Sequence, residues 1–232
     1  MTEITPFYEK QVQCLSCKNS FSTTKIRSRF VKVSRHDGDF CPIYASTDIN
    51  PLLYNIHVCP SCGFSFTEDF NRYMVPAVQK ELEEKISLHW TKQDYGKIRS
   101  YKEAINTYKL GAYCALIKRE KKITIAGLYL RTAWLYRYSA EGEEEQRFLR
   151  LAVHEYMESY SAGDFQGSSM TEVKLTYLIA ELHRRLEQYE DAARYLSKVL
   201  EKQKASTEPK IIEMAKERWQ EIRGAYKEAR SS

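Results

Sequence analysis

Glycine and proline are scarce in this chain, with 9 and 6 residues among 232. This shortage disfavours a turn-rich all-β fold and favours long helices with few breaks. The sequence contains no apolar run near the roughly 20 residues that cross a bilayer, and its first residues lack the basic and apolar regions of a secretory signal. We therefore predict a cytoplasmic globular protein that does not bind a membrane.

The sequence also lacks a large excess of charge of one sign. It has 36 basic and 31 acidic residues, and its net charge is +5. This mild imbalance does not by itself indicate a polyanionic partner. Common enzyme motifs are missing too, since the sequence has no glycine-rich phosphate loop, no nucleophile elbow and no His-Glu-x-x-His stretch. The sequence therefore favours a protein without catalytic activity, and we assign no catalytic residue.

Two Cys-x-x-Cys pairs are the most specific pattern in the sequence: Cys14 with Cys17, and Cys59 with Cys62. A two-residue spacer lets both thiolates of a tight turn face one tetrahedral ion. Cysteines of a cytoplasmic chain stay reduced, so the pairs indicate metal binding rather than disulfides. Gly63, directly after the second pair, can adopt the positive φ that such turns commonly need. We predict one structural Zn²⁺ ion bound by these four cysteines.

A long insertion separates the two pairs. It contains 41 residues, whereas a minimal ribbon uses about 15–20 there, so the insertion is expected to have its own structure. Cys41 is expected to be a buried thiol, while His36 and His57 have no partner at a motif spacing. Whether any of these three side chains approaches the metal stays open.

Asp37 and Asp39 flank Gly38 in the same insertion. Together with a histidine, two carboxylates could form a catalytic site where the N-terminal and C-terminal parts of the chain meet. Asp-Gly-Asp is also the composition of an ordinary tight turn, and the sequence favours this simpler interpretation. An enzyme with a site near these residues is therefore the last of three functional hypotheses.

Two strands are predicted in the N-terminal part, over residues 25–33 and 56–58. Residues 25–35, which begin with the first strand, contain five cations and no acidic residue: Lys25, Arg27, Arg29, Lys32 and Arg35. Strand alternation would place three of these cations on one face, and Phe21 and Phe30 could stack on bases. This basic strand supports a nucleic-acid-binding alternative. A solvated strand face is the competing interpretation, which the modest net charge favours.

The rest of the chain is predicted to be helical. Ser65 to Glu68 fits a capping box, which predicts a helix directly after the second cysteine turn, and Pro76 to Trp90 predicts another. Six more amphipathic segments follow at residues 99–120, 123–138, 144–162, 170–187, 189–204 and 208–229. Ala133 and Ala180 lie at equivalent places in two helix pairs, as in tetratricopeptide repeats, but 47 positions apart rather than roughly 34.

These patterns predict an α+β protein that is mostly α. A small zinc-ribbon-like β domain over residues 1–75 is followed by a tetratricopeptide-like array of antiparallel helical hairpins over residues 76–232. Stacked hairpins commonly present extended binding surfaces. The leading hypothesis is therefore a zinc-binding adaptor that contacts an unknown protein partner through its helices.

Several motifs resemble a family of uncharacterised bacterial proteins, domain-of-unknown-function family 2225. They are Cys14 with Cys17, Asp37-Gly38-Asp39-Phe40, Asn50-Pro51-Leu52-Leu53-Tyr54, Val58 to Phe64, and Ala126 to Arg137. The resemblance covers nearly the whole chain and is most specific at the second cysteine turn. It implies a bacterial cytosolic protein with a zinc-ribbon-like head and a tetratricopeptide-like tail, and it implies no activity.

Overall fold

The computed structural model describes residues 4–231, with side chains as far as Gly224. Within that range the protein is α+β and mostly α, as the sequence predicts. Six strands form three antiparallel hairpins: β1 Phe7–Gln13 with β2 Ser20–Ile26, β3 Val33–His36 with β4 Pro42–Tyr44, and β5 His57–Val58 with β6 Ser65–Phe66. The helices are α1 Pro76–Lys85, α2 Tyr101–Lys118, α3 Lys122–Tyr138, α4 Gly142–Ala162, α5 Glu172–Arg185, α6 Tyr189–Glu201 and α7 Pro209–Ser231.

The β1–β2 hairpin encloses the first cysteine turn, because its register pairs Gln13 with Ser20. The predicted strand over residues 25–33 is wrong in its bounds: β2 ends at Ile26, and a short 3₁₀ helix occupies Ser28–Phe30. The physical reason is the partner strand. Pro6, just before β1, has no N–H to continue the ladder, and its carbonyl accepts the last hydrogen bond, from Arg27 N at 2.8 Å.

The β5–β6 hairpin encloses the second cysteine turn in the same way, with Val58 opposite Ser65. The predicted strand over residues 56–58 is thus confirmed at His57–Val58, whereas the capping box at Ser65 is wrong. Ser65 belongs to β6, and the Glu68 carboxylate lies 2.6 Å from Lys10 Nζ instead of capping a helix. The first helix, α1, begins at Pro76, where proline suits the first turn.

Helix α2 lies in the middle of the molecule. It starts with a capping box between Ser100 and Glu103. It packs against α1, β5, β6, the 3₁₀ helix Pro51–Tyr54 and α3. Its exposed positions recur every three or four residues, at Asn106, Lys109, Tyr113 and Leu116. Only a narrow stripe of α2 therefore faces solvent.

All six helical segments predicted after residue 98 are confirmed, with ends that shift by a few residues. Consecutive helices from α2 to α7 pack against one another. Ala133 and Ala180 are fully buried, which suits close approach of neighbouring helices. The tetratricopeptide-like arrangement of these hairpins stays a prediction.

One apolar core extends across residue 75, the predicted domain boundary. It includes Ile56 and Phe64 from the N-terminal part and Tyr108 and Cys114 from α2. Arg99, just before α2, is buried and donates hydrogen bonds to the carbonyls of Leu53 at 3.1 Å and Ile56 at 2.9 Å. The division into domains 1–75 and 76–232 stays a prediction, but the two parts share a core.

Within the described chain, none of the helices has both the length and the apolar character that crossing a membrane requires.

Candidate metal centre

The two cysteine turns have the same backbone design. Cys14 N donates to Asn19 O at 2.9 Å, and Cys59 N donates to Phe64 O at 3.0 Å. In each turn the residue after the second cysteine has a left-handed backbone, with φ of 62° at Lys18 and 72° at Gly63. The local sequence therefore builds the same knuckle twice.

The four sulfur atoms meet at one place. All lie within 4.8 Å of one another, and Cys14 Sγ is 3.7 Å from Cys62 Sγ while Cys17 Sγ is 3.6 Å from Cys59 Sγ. Disulfide sulfurs would be about 2.0 Å apart, whereas four sulfurs at about 2.3 Å from a tetrahedral Zn²⁺ would lie about 3.8 Å from one another. The predicted set of four cysteines can therefore hold a metal ion.

The clustered sulfur atoms share protons. Hydrogen bonding from the Cys14 and Cys62 thiols and from backbone N–H groups holds the pKa of Cys59 well below its ordinary value, whereas the same hydrogen bonds raise the pKa values of Cys14 and Cys62. Three of the four cysteines are buried and Cys17 is exposed. A cation would replace the shared protons and offset the charge of thiolates held this close together.

Trp90 covers the second cysteine turn. Its indole Nε1 donates to the Pro60 carbonyl at 3.0 Å, and its ring lies against Gly63, where an added Cβ would be 2.5 Å from two ring carbons. Glycine is therefore required at position 63 for two reasons, its positive φ and the space that Trp90 occupies.

Replacing Gly63 by alanine is expected to lower the free energy of unfolding by about 2–4 kcal/mol, through left-handed backbone strain and overpacking against Trp90. Urea denaturation followed by tryptophan emission measures the loss. Gly142→Ala is the matched control, because no atom lies within 4 Å of an added Cβ there. Equal denaturation midpoints for the two variants would contradict the contact between Gly63 and Trp90.

The other candidate ligands lie outside the cluster. Cys41 is buried in the β3–β4 hairpin, and its Sγ points to Pro42 O at 3.8 Å. His36 is exposed. His57 is buried against Phe66, and burial lowers its pKa to about 4, so it stays neutral at neutral pH. Among the described residues, the group of side chains that could hold a metal ion consists of the four predicted cysteines.

Asp37 and Asp39 join the N-terminal part to the helices. The Asp39 side chain is fully buried and accepts hydrogen bonds from Arg137 Nη2 at 2.7 Å and from Trp134 Nε1 at 2.9 Å. Asp37 lies 3.1 Å from Arg137 Nη1, and Arg185 is 3.6 Å from Asp39. We call this group of five residues the aspartate clamp.

The turn between the two aspartates is also fixed by α5. Tyr177 Oη donates to Gly38 O at 3.0 Å, and a Cβ on Gly38 would be 2.8 Å from the buried Glu181 carboxylate. Glu181 itself is paired with Arg184 and Arg185. Asp37 and Asp39 therefore form the expected turn. Ion pairs with Arg137 of α3 and Arg185 of α5 fix this turn against the helices. Both carboxylates have guanidinium partners, which suits a positioning role better than proton transfer.

The prediction that three of the five basic residues share a strand face is wrong, because β2 ends at Ile26 and Arg29 lies in the 3₁₀ helix Ser28–Phe30. Lys25 is half-buried and donates to Tyr54 O at 3.0 Å. The other four are exposed, and none has a carboxylate within 4.0 Å among the residues that the structure describes: Arg27, Arg29, Lys32 and Arg35. Arg27 lies over the Tyr8 ring at 5.1 Å, and Arg29 lies over Phe30 at 4.9 Å.

Sequence reasoning missed the contacts around these sites. Nothing in the sequence linked Trp90 to Gly63, or Arg99 to the carbonyls that it holds. The one available signal for the aspartate clamp is the spacing of Trp134 and Arg137, because two residues three positions apart share a helix face and both can donate to one carboxylate.

A mostly helical protein with two cysteine knuckles that can share one metal ion is the class that this fold and this centre define. The chain belongs to the family described as "Uncharacterized protein conserved in bacteria (DUF2225)", whose profile matches residues 7–222. The resemblance seen in the sequence is thereby confirmed. No curated protein and no solved structure matches the chain.

Proposed function

We propose that this protein is a non-enzymatic, cytoplasmic, zinc-binding adaptor that contacts a protein partner. The observation that carries the proposal is the four-cysteine centre, beside which the exposed Tyr113 of α2 borders an open groove. Four thiolates satisfy tetrahedral coordination and leave no position for water or substrate. The ion's role is then to hold the two knuckles together.

Zinc is the proposed metal because of ligand type and geometry. A compact tetrahedral set of four sulfurs suits zinc or an iron–sulfur centre rather than magnesium or calcium, which prefer oxygen. A single ion explains the sulfur separations of 3.6 and 3.7 Å. Zinc also has no redox chemistry, which agrees with a structural role.

The proposed contact surface is a groove of about 370 Å³ between α2 and the segment before it. We call it the α2 groove. Trp90 and Tyr95 form one wall, and Leu110 and Tyr113 form the other. Tyr113 is 46% exposed, and Leu116 in the next turn is 44% exposed. Aromatic side chains are enriched at protein interfaces, and this groove lies directly beside the cysteine turn that Trp90 covers.

We expect the double variant Tyr113→Ser, Leu116→Ser to capture fewer proteins from a bacterial lysate than the wild type does. The two substitutions remove exposed contact residues without disturbing the core. Quantitative mass spectrometry of nuclease-treated eluates measures the loss. Leu151→Ser is the matched control, since Leu151 is exposed on α4, away from the groove. Retention of the same proteins by the double variant would contradict the proposal.

Nucleic-acid binding is the second candidate, and it rests on the four exposed cations without carboxylate partners. Unpaired arginines beside Tyr8 and Phe30 suit phosphate contacts and base stacking. The untreated arm of the same capture experiment tests it. Nucleic acid that elutes with the wild type but is lost with Arg27→Ser, Arg29→Ser would favour this candidate, and binding should weaken steeply as salt rises.

A further inference from the structure

A second groove lies between α3, α4 and the loop before α5. Its volume is about 500 Å³, within the usual range of small-molecule sites. Thr124, Gly127 and Arg131 form its floor along one face of α3, and Tyr156 of α4 lies beside them. The loop from Gly167 to Met170 forms the facing wall. We call it the Arg131 groove.

Arg131 is a half-buried cation without a carboxylate partner. Its Nη1 donates to the Gly127 carbonyl at 3.0 Å, and no carboxylate of the described residues lies within 4.0 Å of its guanidinium. Arg137, two turns further on in the same helix, is bound by three carboxylates. A guanidinium that is removed from much of the solvent and lacks an internal counterion has donors available for an anion.

Tyr156 supplies a second available donor. Its side chain is 97% buried, since only 3% of its surface is exposed, and within the described structure its hydroxyl has no hydrogen-bond partner. The hydroxyl lies 4.0 Å from the place that a Cβ on Gly127 would occupy. Burial raises the pKa of Tyr156 to about 12, so the hydroxyl keeps its proton. The hydroxyl oxygen is not among the fully enclosed atoms without a partner, so a ligand in the groove can reach it.

Gly127 keeps the space between these two donors open. An added Cβ would be 2.8 Å from Arg131 Nη1, so any larger residue would push the guanidinium off the α3 carbonyl. The glycine lies inside a helix, where it costs about 1 kcal/mol relative to alanine. Open space between an arginine and a tyrosine hydroxyl is a physical reason for glycine here.

The charge of the groove is positive. Lys121 and Arg131 line it together with one carboxylate, that of the exposed Asp69. Ile123 and Met170 add apolar surface. A phosphate dianion can offset both cations and accept bidentate hydrogen bonds from a guanidinium, while the remaining volume would take an organic group. We propose that the Arg131 groove binds the phosphate of a small organic phosphomonoester, with Arg131 and Tyr156 as its donors.

Phenyl phosphate, titrated into the metal-loaded full-length protein by calorimetry, is the direct test. The wild type is expected to bind one molecule with a Kd at or below about 1 mM. Tyr156→Phe should weaken binding by about three- to tenfold, and Arg131→Gln by about tenfold or more. Tyr156→Phe is the sharper variant, because removing a hydroxyl without a protein partner should leave the melting temperature unchanged.

Two controls make the result decisive. Arg150→Gln removes an exposed arginine of α4 and should leave the affinity unchanged. Benzoate, which carries a carboxylate on the same ring, should bind at least about tenfold more weakly than phenyl phosphate, since it has half the charge and fewer acceptors. No saturable binding by the wild type, equal affinity in Tyr156→Phe and Arg131→Gln, or equal affinity for benzoate would each overturn the proposal.

Discussion

Cys59→Ser is expected to release the bound metal and to unfold the region around both cysteine turns. The serine hydroxyl is a poor ligand for zinc, and structural zinc sites contribute about 10–16 kcal/mol of apparent binding energy to folding. Metal content per chain and circular dichroism measure the outcome. Trp90 should report the change as a red-shifted emission, because its indole lies on the turn that Cys59 begins.

Cys41→Ser is the matched control for this prediction. Cys41 is also buried in the N-terminal part, but it lies outside the four-sulfur cluster. That variant should keep its metal, whatever it loses in stability. A chelator added to the wild type should reproduce the effect of Cys59→Ser. If Cys59→Ser keeps a full equivalent of metal and the wild-type melting profile, the four-cysteine assignment is wrong.

Asp39→Asn is expected to lower the free energy of unfolding by about 2–3 kcal/mol, because it removes the buried negative charge that accepts charge-assisted hydrogen bonds from Arg137, which keeps Asp37 and Glu145 as partners. Arg137 and Arg185 both contact this fully buried carboxylate. Urea denaturation at pH 7 measures the loss. Asp37→Asn is the matched control, since Asp37 contacts the same Arg137 but is 27% exposed. It should cost about 1 kcal/mol or less.

The difference between wild type and Asp39→Asn should depend on pH. Burial by itself raises the pKa of Asp39, but hydrogen bonds from Arg137 and the charge of Arg185 lower it below its ordinary value. A carboxylate with a depressed folded-state pKa stabilises the protein above its unfolded pKa of about 4. That stability is lost as the pH falls through the folded-state pKa. A difference that stays constant from pH 7 to pH 3 would contradict the ion pair.

Patterns that depend on neighbouring residues could be predicted from the sequence. The Cys-x-x-Cys spacing pointed to Cys14, Cys17, Cys59 and Cys62, which the structure brings together in a cluster that could hold a metal ion. Helix periodicity likewise predicted α2 to α7, since an amphipathic face recurs every three or four residues. These features need no knowledge of what lies across the fold.

Features that depend on distant partners could not be predicted. Strand β2 ends at Ile26 because its partner strand begins after Pro6, although the composition beyond Ile26 still suits a strand. Ser65 has the local pattern of a helix cap, but pairing with Val58 closes the cysteine turn instead. In both places a long-range contact outweighs a local preference.

The aspartate clamp and the cysteine centre differ greatly in sequence separation. Cys14 and Cys62 are 48 positions apart, whereas Asp39 and Arg137 are 98 positions apart and Gly38 and Tyr177 are 139 apart. Contacts between distant positions form late, because long loops must close first. During synthesis Cys62 leaves the ribosome long before Arg137 does. We therefore expect metal capture to come early and clamp closure to complete folding, so that a nascent chain holds its ion before its Asp-Gly-Asp turn meets a helix.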